Sequence, residues 1–321
     1  MDSKEGKIQS IHSRSFQRFS GKEFSVYVLV MILYIAWLVF VLGGIRPDHK
    51  LLLVGGSAMY FASKVSRQLV LSMLIIIVYW FIFDSIRLYP AYNIFPLHIK
   101  EPYLLEKAWF GIETAQGIIT PNEYWAQHRF VALDLYTGFI YLCWIPVPLA
   151  FCLYNFIKGD RNTQVRYLFT FFLVSQLGLF FQYLYPAAPP WYVDLYGFKE
   201  ILDTPGNPGA LINVDHYLGI SLFSGMYNMN ANVFAAIPSL HCAFPIILLY
   251  FARTRRLTGW TIVALILMVS TWFSAVYTNH HYIIDVVLGI MTGLLAVGLY
   301  HFVFMKTRVS DWLDEYARRV S

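Results

Sequence analysis

Three residues of this chain combine types and spacing that can do chemistry. His241 stands in Pro238-Ser239-Leu240-His241, and His281 and Asp285 stand in His280-His281-Tyr282-Ile283-Ile284-Asp285. Their surroundings are apolar, where an ionisable group is costly and by default points to function. The i, i+4 spacing of His281 and Asp285 would put both on one face of a helix, a turn apart. A carboxylate there accepts the N–H of one ring nitrogen, fixes the tautomer and leaves the other nitrogen as a nucleophile. His241 can then protonate a leaving oxygen and afterwards activate an acceptor. The set suits two-step phosphoryl transfer through a phosphohistidine, with imidazole itself as the nucleophile. Taken singly, each histidine also fits an interfacial residue bonded to a backbone carbonyl. It is the combination of two histidines with a correctly spaced Asp that favours catalysis. A zinc site on His280 and His281 is disfavoured, because adjacent residues on a helix point in different directions, and near the predicted site Asp285 is read as the only carboxylate in the apolar segments. No metal and no cofactor is expected.

The elements that must position these residues are membrane spans. Of 321 residues 58% are hydrophobic and only 13% charged, about half the charge of an ordinary soluble domain. Aromatic residues make up 18%, as suits belts of Trp and Tyr at membrane interfaces. Apolar runs at roughly 25–44, 69–88, 133–156, 167–186, 259–278 and 283–305 are each close to the ~20 residues that a bilayer requires. The segment 238–252 is shorter and opens with Pro238, a helix-starting residue. The run 51–63, with Gly55 and Gly56, is either a short crossing or re-entrant. The stretch 89–132, with Pro90, Pro96, Pro102, Trp109 and Trp125, reads as interfacial helices. Gly289 and Gly293 form a G-x-x-x-G suited to close helix packing. The expected fold is an all-α polytopic membrane bundle. Residues 1–130 form N-terminal spans and interfacial helices, 131–305 a catalytic core and 306–321 a cytoplasmic tail.

Charge placement orients the bundle. Lys158, Arg161 and Arg166, then Arg253, Arg255 and Arg256, then Lys306, Arg308, Arg318 and Arg319 mark cytoplasmic segments. The long stretch 187–237 carries a single basic residue, Lys199, and reads as non-cytoplasmic. His241, His281 and Asp285 each begin a span that runs inward from that side, so they are expected to meet at the non-cytoplasmic interface. The basic N-terminus (Lys4, Lys7, Arg14, Arg18, Lys22) places the chain start inside and reads as leading a retained first span rather than a cleaved signal. That orientation favours counting 51–63 as a crossing. Cys143, Cys152 and Cys242 sit in apolar stretches as small apolar fillers. No basic stripe for nucleic acid is present, and no obligate protein partner is evident. Membrane lipids are the expected substrates.

The motifs resemble those of the type 2 phosphatidic acid phosphatase superfamily, whose second and third motifs are similar to Pro238-Ser239-Leu240-His241 and His281-x-x-x-Asp285. The C-terminal half looks like the inositol phosphorylceramide synthase branch. Four ordered stretches carry the likeness: Tyr185-Pro186-Ala187-Ala188-Pro189-Pro190-Trp191-Tyr192, Gly206-Asn207-Pro208-Gly209-Ala210-Leu211, Ala236-Ile237-Pro238-Ser239-Leu240-His241 and Thr278-Asn279-His280-His281-Tyr282. It spans roughly residues 130–305. The resemblance implies that His281 is the nucleophile, Asp285 its orienter and His241 the general acid/base. It implies that Pro190 and Trp191 wall the site, and that Ser239, Tyr277, Asn279 and His280 contribute to substrate binding.

The chain departs from the wider pattern in lacking two phosphate-binding cations. Val39 stands where a Lys would precede Arg46-Pro47, and Ala275 stands where an Arg would precede His281. Asn213 stands where fungal synthases tend to have an Arg. Arg129, Lys199, His216 and His280 are the candidate replacements. The function so implied is transfer of a phospho-headgroup, best phosphoinositol, from a glycerophospholipid to ceramide or a similar lipid alcohol. The alternative is a lipid-phosphate phosphatase with water as acceptor. A transporter would show paired midplane charges and internal repeats, and neither is visible.

Overall fold

The computed structural model describes residues 21–115, 117–229 and 232–321; the basic residues Lys4, Lys7, Arg14 and Arg18 lie outside them. The chain begins with α1 (Gly21–Phe40), a 20-residue apolar helix, and turns into α2 (Pro47–Ala62), where Pro47 opens the first turn. A Ser63–Ser66 capping box starts α3 (Lys64–Ser72), followed directly by α4 (Leu74–Ser85). Interfacial pieces come next: α5 (Lys100–Phe110), a hairpin of β1 (Ile112–Thr114) and β2 (Gly117–Ile119), and α6 (Pro121–Gln127), capped by Thr120. The core follows with α7 (Val131–Leu142), α8 (Pro146–Ile157) and α9 (Arg161–Leu184). Three short helices, α10 (Pro190–Tyr196), α11 (Ile212–Leu218) and α12 (Leu222–Asn228), occupy the connection to α13 (Leu240–Thr254). Finally come α14 (Thr258–Tyr277), α15 (Ile283–Gly298) and α16 (Arg308–Arg319).

Among the described residues four helical stretches are long and apolar enough to cross a membrane: α1, α9, α14 and Ile283–Lys306, which continues α15. Two bent pairs raise that to six, α3 with Leu74–Leu88 at 46° and α7 with α8 at 44°. These six coincide with the six apolar runs of the sequence, and the chain is an all-helical, multi-pass membrane protein. The run 51–63 falls within α2, a 16-residue helix.

Helix α13 is the centre. It packs against α14, α15 and α9, and its apolar residues Ala243, Phe244, Ile247, Leu248 and Phe251 belong to the main core. The G-x-x-x-G is where α15 meets α13. A Cβ on Gly289 would collide with the Ser239 carbonyl, and one on Gly293 would lie 2.9 Å from Ile246 Cδ1 and 3.0 Å from the Ala243 carbonyl. Small residues here let the two backbones approach, which fixes Ser239 and His241 beside the start of α15.

The basic segments share one end of the bundle. Arg255 pairs with Asp160, Arg166 holds Asp314 at 2.7 Å, and Arg161 Nε donates to the Val320 carbonyl at 3.3 Å. The tail is thus the helix α16, docked on α9 through Leu313 and Ala317. His241 begins α13 and Arg253 lies in its last turn, so the candidate catalytic residues sit at the opposite end from the basic cluster.

Candidate functional site

The four resembling stretches converge through main-chain hydrogen bonds. Ala187 N donates to the Phe234 carbonyl (2.9 Å), Trp191 N to the Asn279 carbonyl (3.1 Å), Ala210 N to the Thr278 carbonyl (2.9 Å) and Ser239 N to the Asp285 carbonyl (3.1 Å). Gly209 is at φ +52°, where its missing side chain leaves room for the Thr278 carbonyl and the His280 ring.

His281 and Asp285 meet, for a reason different from the one the spacing suggests. Helix α15 starts at Ile283, so His281 precedes it and the two are not stacked on one helical face. Asp285 is instead the third residue of the helix and reaches back over its N-terminus. Its Oδ2 accepts from Tyr282 N at 2.9 Å and lies 3.3 Å from His281 Nδ1. An acidic residue in that first turn is also favoured by the helix dipole. The His281 main chain is held by a tight turn in which the amides of His280 (3.2 Å) and His281 (3.0 Å) both bond the Ala275 carbonyl, with Asn279 at φ +66°.

His241 faces this pair from the first turn of α13, its ring centroid 6.0 Å from that of His281. Tyr141 (4.8 Å) and Trp144 (5.2 Å) flank it. Burial pushes the His281 imidazole down to about 4, against a bond to the Ala236 backbone. Burial likewise holds His280 well below its usual range, helped by the neighbouring His281 and His241. At neutral pH His281 is therefore an unprotonated imidazole, the state that a nucleophile requires.

All three histidines line one cavity of about 400 Å³. Trp80, Phe83, Trp144, Trp191 and Phe244 give it an aromatic wall. Adjacent residues His280 and His281 thus share the cavity instead of diverging, because they lie in a turn and not on a helix. Among the described residues no three His, Cys, Asp or Glu side chains are grouped to hold a metal ion.

The remaining sequence candidates fall around the cavity. Trp191 lines it, with Pro189 beside it, while Pro190 is buried at the start of α10. Ser239 is buried under α15, its amide tied to Asp285. Tyr277 Oη donates to Asp134 Oδ1 at 2.8 Å, and Asn279 Nδ2 donates to Asp194 Oδ2 at 2.5 Å; both brace the site from behind. Of the four cations nominated from sequence, only His280 lines the cavity; Arg129 lies over the Tyr277 ring at 5.3 Å, and Arg46 and Arg87 reach the cavity instead.

The family model of the PAP2 superfamily matches residues 117–299, which contain His241, His281 and Asp285. The chain belongs to the PAP2 superfamily. It is similar to the phosphoinositol dihydroceramide synthase of Bacteroides thetaiotaomicron, 37% identical over 300 residues, covering 92% of this chain and 98% of that protein. It is also similar to the inositol phosphorylceramide synthase of Candida albicans, 30% identical over 48% of this chain and 34% of that protein. The catalytic subunit of the Saccharomyces cerevisiae inositol phosphorylceramide synthase is 34% identical over 36% of this chain and 29% of that protein. The chain thus spans about a third of the length of these fungal proteins and nearly all of the bacterial one. No solved structure matches it.

Two residues that position the pair escaped the sequence reading, and both come from the interfacial helices. Asn122 Nδ2, in the first turn of α6, donates to the carbonyls of Val276 and His281, each at 3.0 Å. Glu106, fully buried on α5, accepts from the amides of Ile283 (2.9 Å) and Ile284 (3.2 Å), capping the helix that carries Asp285. Burial pushes the Glu106 carboxyl up to about 7, against those two amides, with Asp285 adding to the rise. A folded-state value above the ordinary 4.5 means that the stability from Glu106 is present below pH 4.5 and lost as pH rises through about 7. The melting midpoint of the detergent-solubilised protein should therefore fall between pH 5 and 8, and Glu106→Gln should flatten that slope. An unchanged slope in Glu106→Gln would show that another group titrates.

Proposed function

We propose that this chain transfers phosphoinositol from a glycerophospholipid to ceramide or a similar lipid alcohol. The observation that carries the reading is that His241 and His281, the latter held by Asp285, line one mostly apolar cavity. A cavity walled mainly by aromatic and apolar side chains favours a lipid acceptor over hydrolysis. The names of the bacterial and fungal relatives point to the same donor group and acceptor class.

In this mechanism the free nitrogen of His281 attacks phosphorus, and the bond from phosphorus to the diacylglycerol oxygen breaks. Once the donor's phosphate anion beside it has raised its proton affinity, His241 takes up a proton and gives it to that oxygen, and diacylglycerol leaves. Phosphoinositol stays on His281 while Asp285 holds the ring. The ceramide hydroxyl then loses its proton to His241 and attacks phosphorus, and the bond to His281 breaks. Protons and bonds balance over the two steps, and no cofactor enters. Residues 131–305 serve as the catalytic core, with the start of α2 and the end of α4 lining one side of the cavity.

Purified protein supplied with phosphatidylinositol labelled in the headgroup, with and without ceramide, tests the reading. Labelled phosphoinositol ceramide should form only when ceramide is present. Free inositol phosphate as the main product in both cases would show that water is the acceptor.

The site is proposed to face the non-cytoplasmic side, because the basic loops and α16 gather at the far end. Cysteines introduced into 198–203 should react with an impermeant reagent from outside, and one at Arg256 only after permeabilisation. The reverse pattern would put the chemistry in the cytoplasm.

A further inference from the structure

The cavity has a second polar end, built by residues that the superfamily match does not reach. Arg46 follows α1, Asp48 is in the first turn of α2, Asp84 is near the end of α4 and Arg87 is in the turn after it. All four line the same cavity as the histidines. Asp84 is the hub, 2% exposed. Its Oδ1 accepts from Arg46 Nη1 (2.9 Å) and Arg87 Nη2 (2.6 Å), and its Oδ2 meets His49 Nε2 at 2.8 Å. Arg46 also clamps Asp48 with Nε at 3.2 Å and Nη2 at 2.8 Å.

Ionised side chains at the end of membrane spans are costly and mark substrate sites when they face a cavity. Tying the start of α2 to the end of α4 needs only Arg46, His49, Asp84 and Arg87. Asp48 bonds Arg46 and has no bond to Asp84, yet it is charged and 22% exposed, as is Arg46, and Arg87 is 28% exposed. Two guanidiniums are balanced by two carboxylates, so this end offers no net positive charge to a phosphate. It offers N–H donors beside a carboxylate acceptor, which matches neighbouring hydroxyl groups, each both donor and acceptor. About 400 Å³ is within the usual range of ligand pockets, ~300–1,000 Å³. We propose that Arg46, Asp48 and Arg87 form the subsite for the hydroxyl groups of the inositol ring, holding the headgroup while its phosphorus is on His281. This assignment rests on the phosphoinositol reading above.

The experiment is a set of Michaelis measurements on the full-length purified enzyme, varying phosphatidylinositol at saturating ceramide and the reverse. Asp48→Asn leaves the Asp84 hub bonded. It should raise KM for phosphatidylinositol tenfold or more, leave KM for ceramide within twofold and keep the melting midpoint. Its preference for phosphatidylinositol over phosphatidylethanolamine as donor should shrink by a similar factor. An unmoved donor KM would overturn the subsite, as would equal losses on both substrates with a lowered melting midpoint, the pattern of a purely structural tie. If Asp48→Asn does not fold, Arg87→Lys, which keeps the charge but not the planar fork, is read in the same way: the donor KM must rise alone, and an unchanged value overturns the proposal. Wild-type enzyme that makes no phosphoinositol ceramide would instead sink the functional reading itself.

Discussion

Replacing His281 with Ala is expected to reduce turnover to below one hundredth of wild type while the protein still folds and inserts. The ring contributes little to holding its own turn. The His281 amide bonds Ala275 and its carbonyl accepts from Asn122, and both contacts survive in the variant. Asp285 keeps its bond to the Tyr282 amide at 2.9 Å, so the start of α15 remains capped. What disappears is the proposed nucleophile, with no other imidazole among the described residues held against Asp285 to replace it. A donor labelled on phosphorus should leave acid-labile label on the wild-type protein and none on His281→Ala. Because burial holds the imidazole near 4, loss of kcat/KM through protonation of this group should appear only as pH falls towards 4. Activity above a hundredth of wild type, or label retained by the variant, would exclude the phosphohistidine route.

Much of this site is legible in the sequence, and what is not has a physical cause. Span positions can be read because a bilayer demands long apolar runs, and such runs are local. The meeting of His241 and His281 can be read because charge placement sets the direction of each span and therefore which ends coincide. The 6.0 Å ring separation is the outcome. The His281–Asp285 contact follows from sequence, but its geometry does not: a four-residue spacing fits both a helical face and a helix start capped from its third residue, and Tyr282 N decides for the second. Glu106 and Asn122 could not be found by periodicity, since each bonds main-chain groups more than 150 positions away. Asp84 and Asp134 are a different case. Each is a buried carboxylate within an apolar segment, so Asp285 does not stand alone. The rule that singled out Asp285 applies equally to Phe81-Ile82-Phe83-Asp84 and Val131-Ala132-Leu133-Asp134. They escaped because neither has a histidine within a helical turn: Asp84 meets Arg87 three positions on but its histidine, His49, lies 35 positions back, and Asp134 takes the Tyr277 hydroxyl from 143 positions away.

Replacing His241 with Ala should cost ~10²–10⁴ in turnover, the usual worth of a positioned general acid and base, and the loss should depend on the leaving group. Diacylglycerol departs as an alkoxide unless it is protonated, and His241 is placed to do this from the first turn of α13. A donor whose leaving group is a nitrophenolate needs no such proton. With it, the first step of the variant should recover, and attack of His281 should proceed. The second step should not recover, because the ceramide hydroxyl still requires a base. Phosphoinositol should therefore accumulate on His281 of His241→Ala, visible as stoichiometric acid-labile label that ceramide fails to discharge. Tyr141 and Trp144 pack on the two sides of the His241 ring, and the vacated space is bounded by rings that cannot take up a proton at neutral pH. Full activity in His241→Ala would mean that the proton is carried by another cavity group, of which His280, with its ring 4.6 Å from that of Tyr227, is the nearest in kind. Equal slowing with both donors and no trapped label would place His241 in binding alone and leave the acid–base role without a residue.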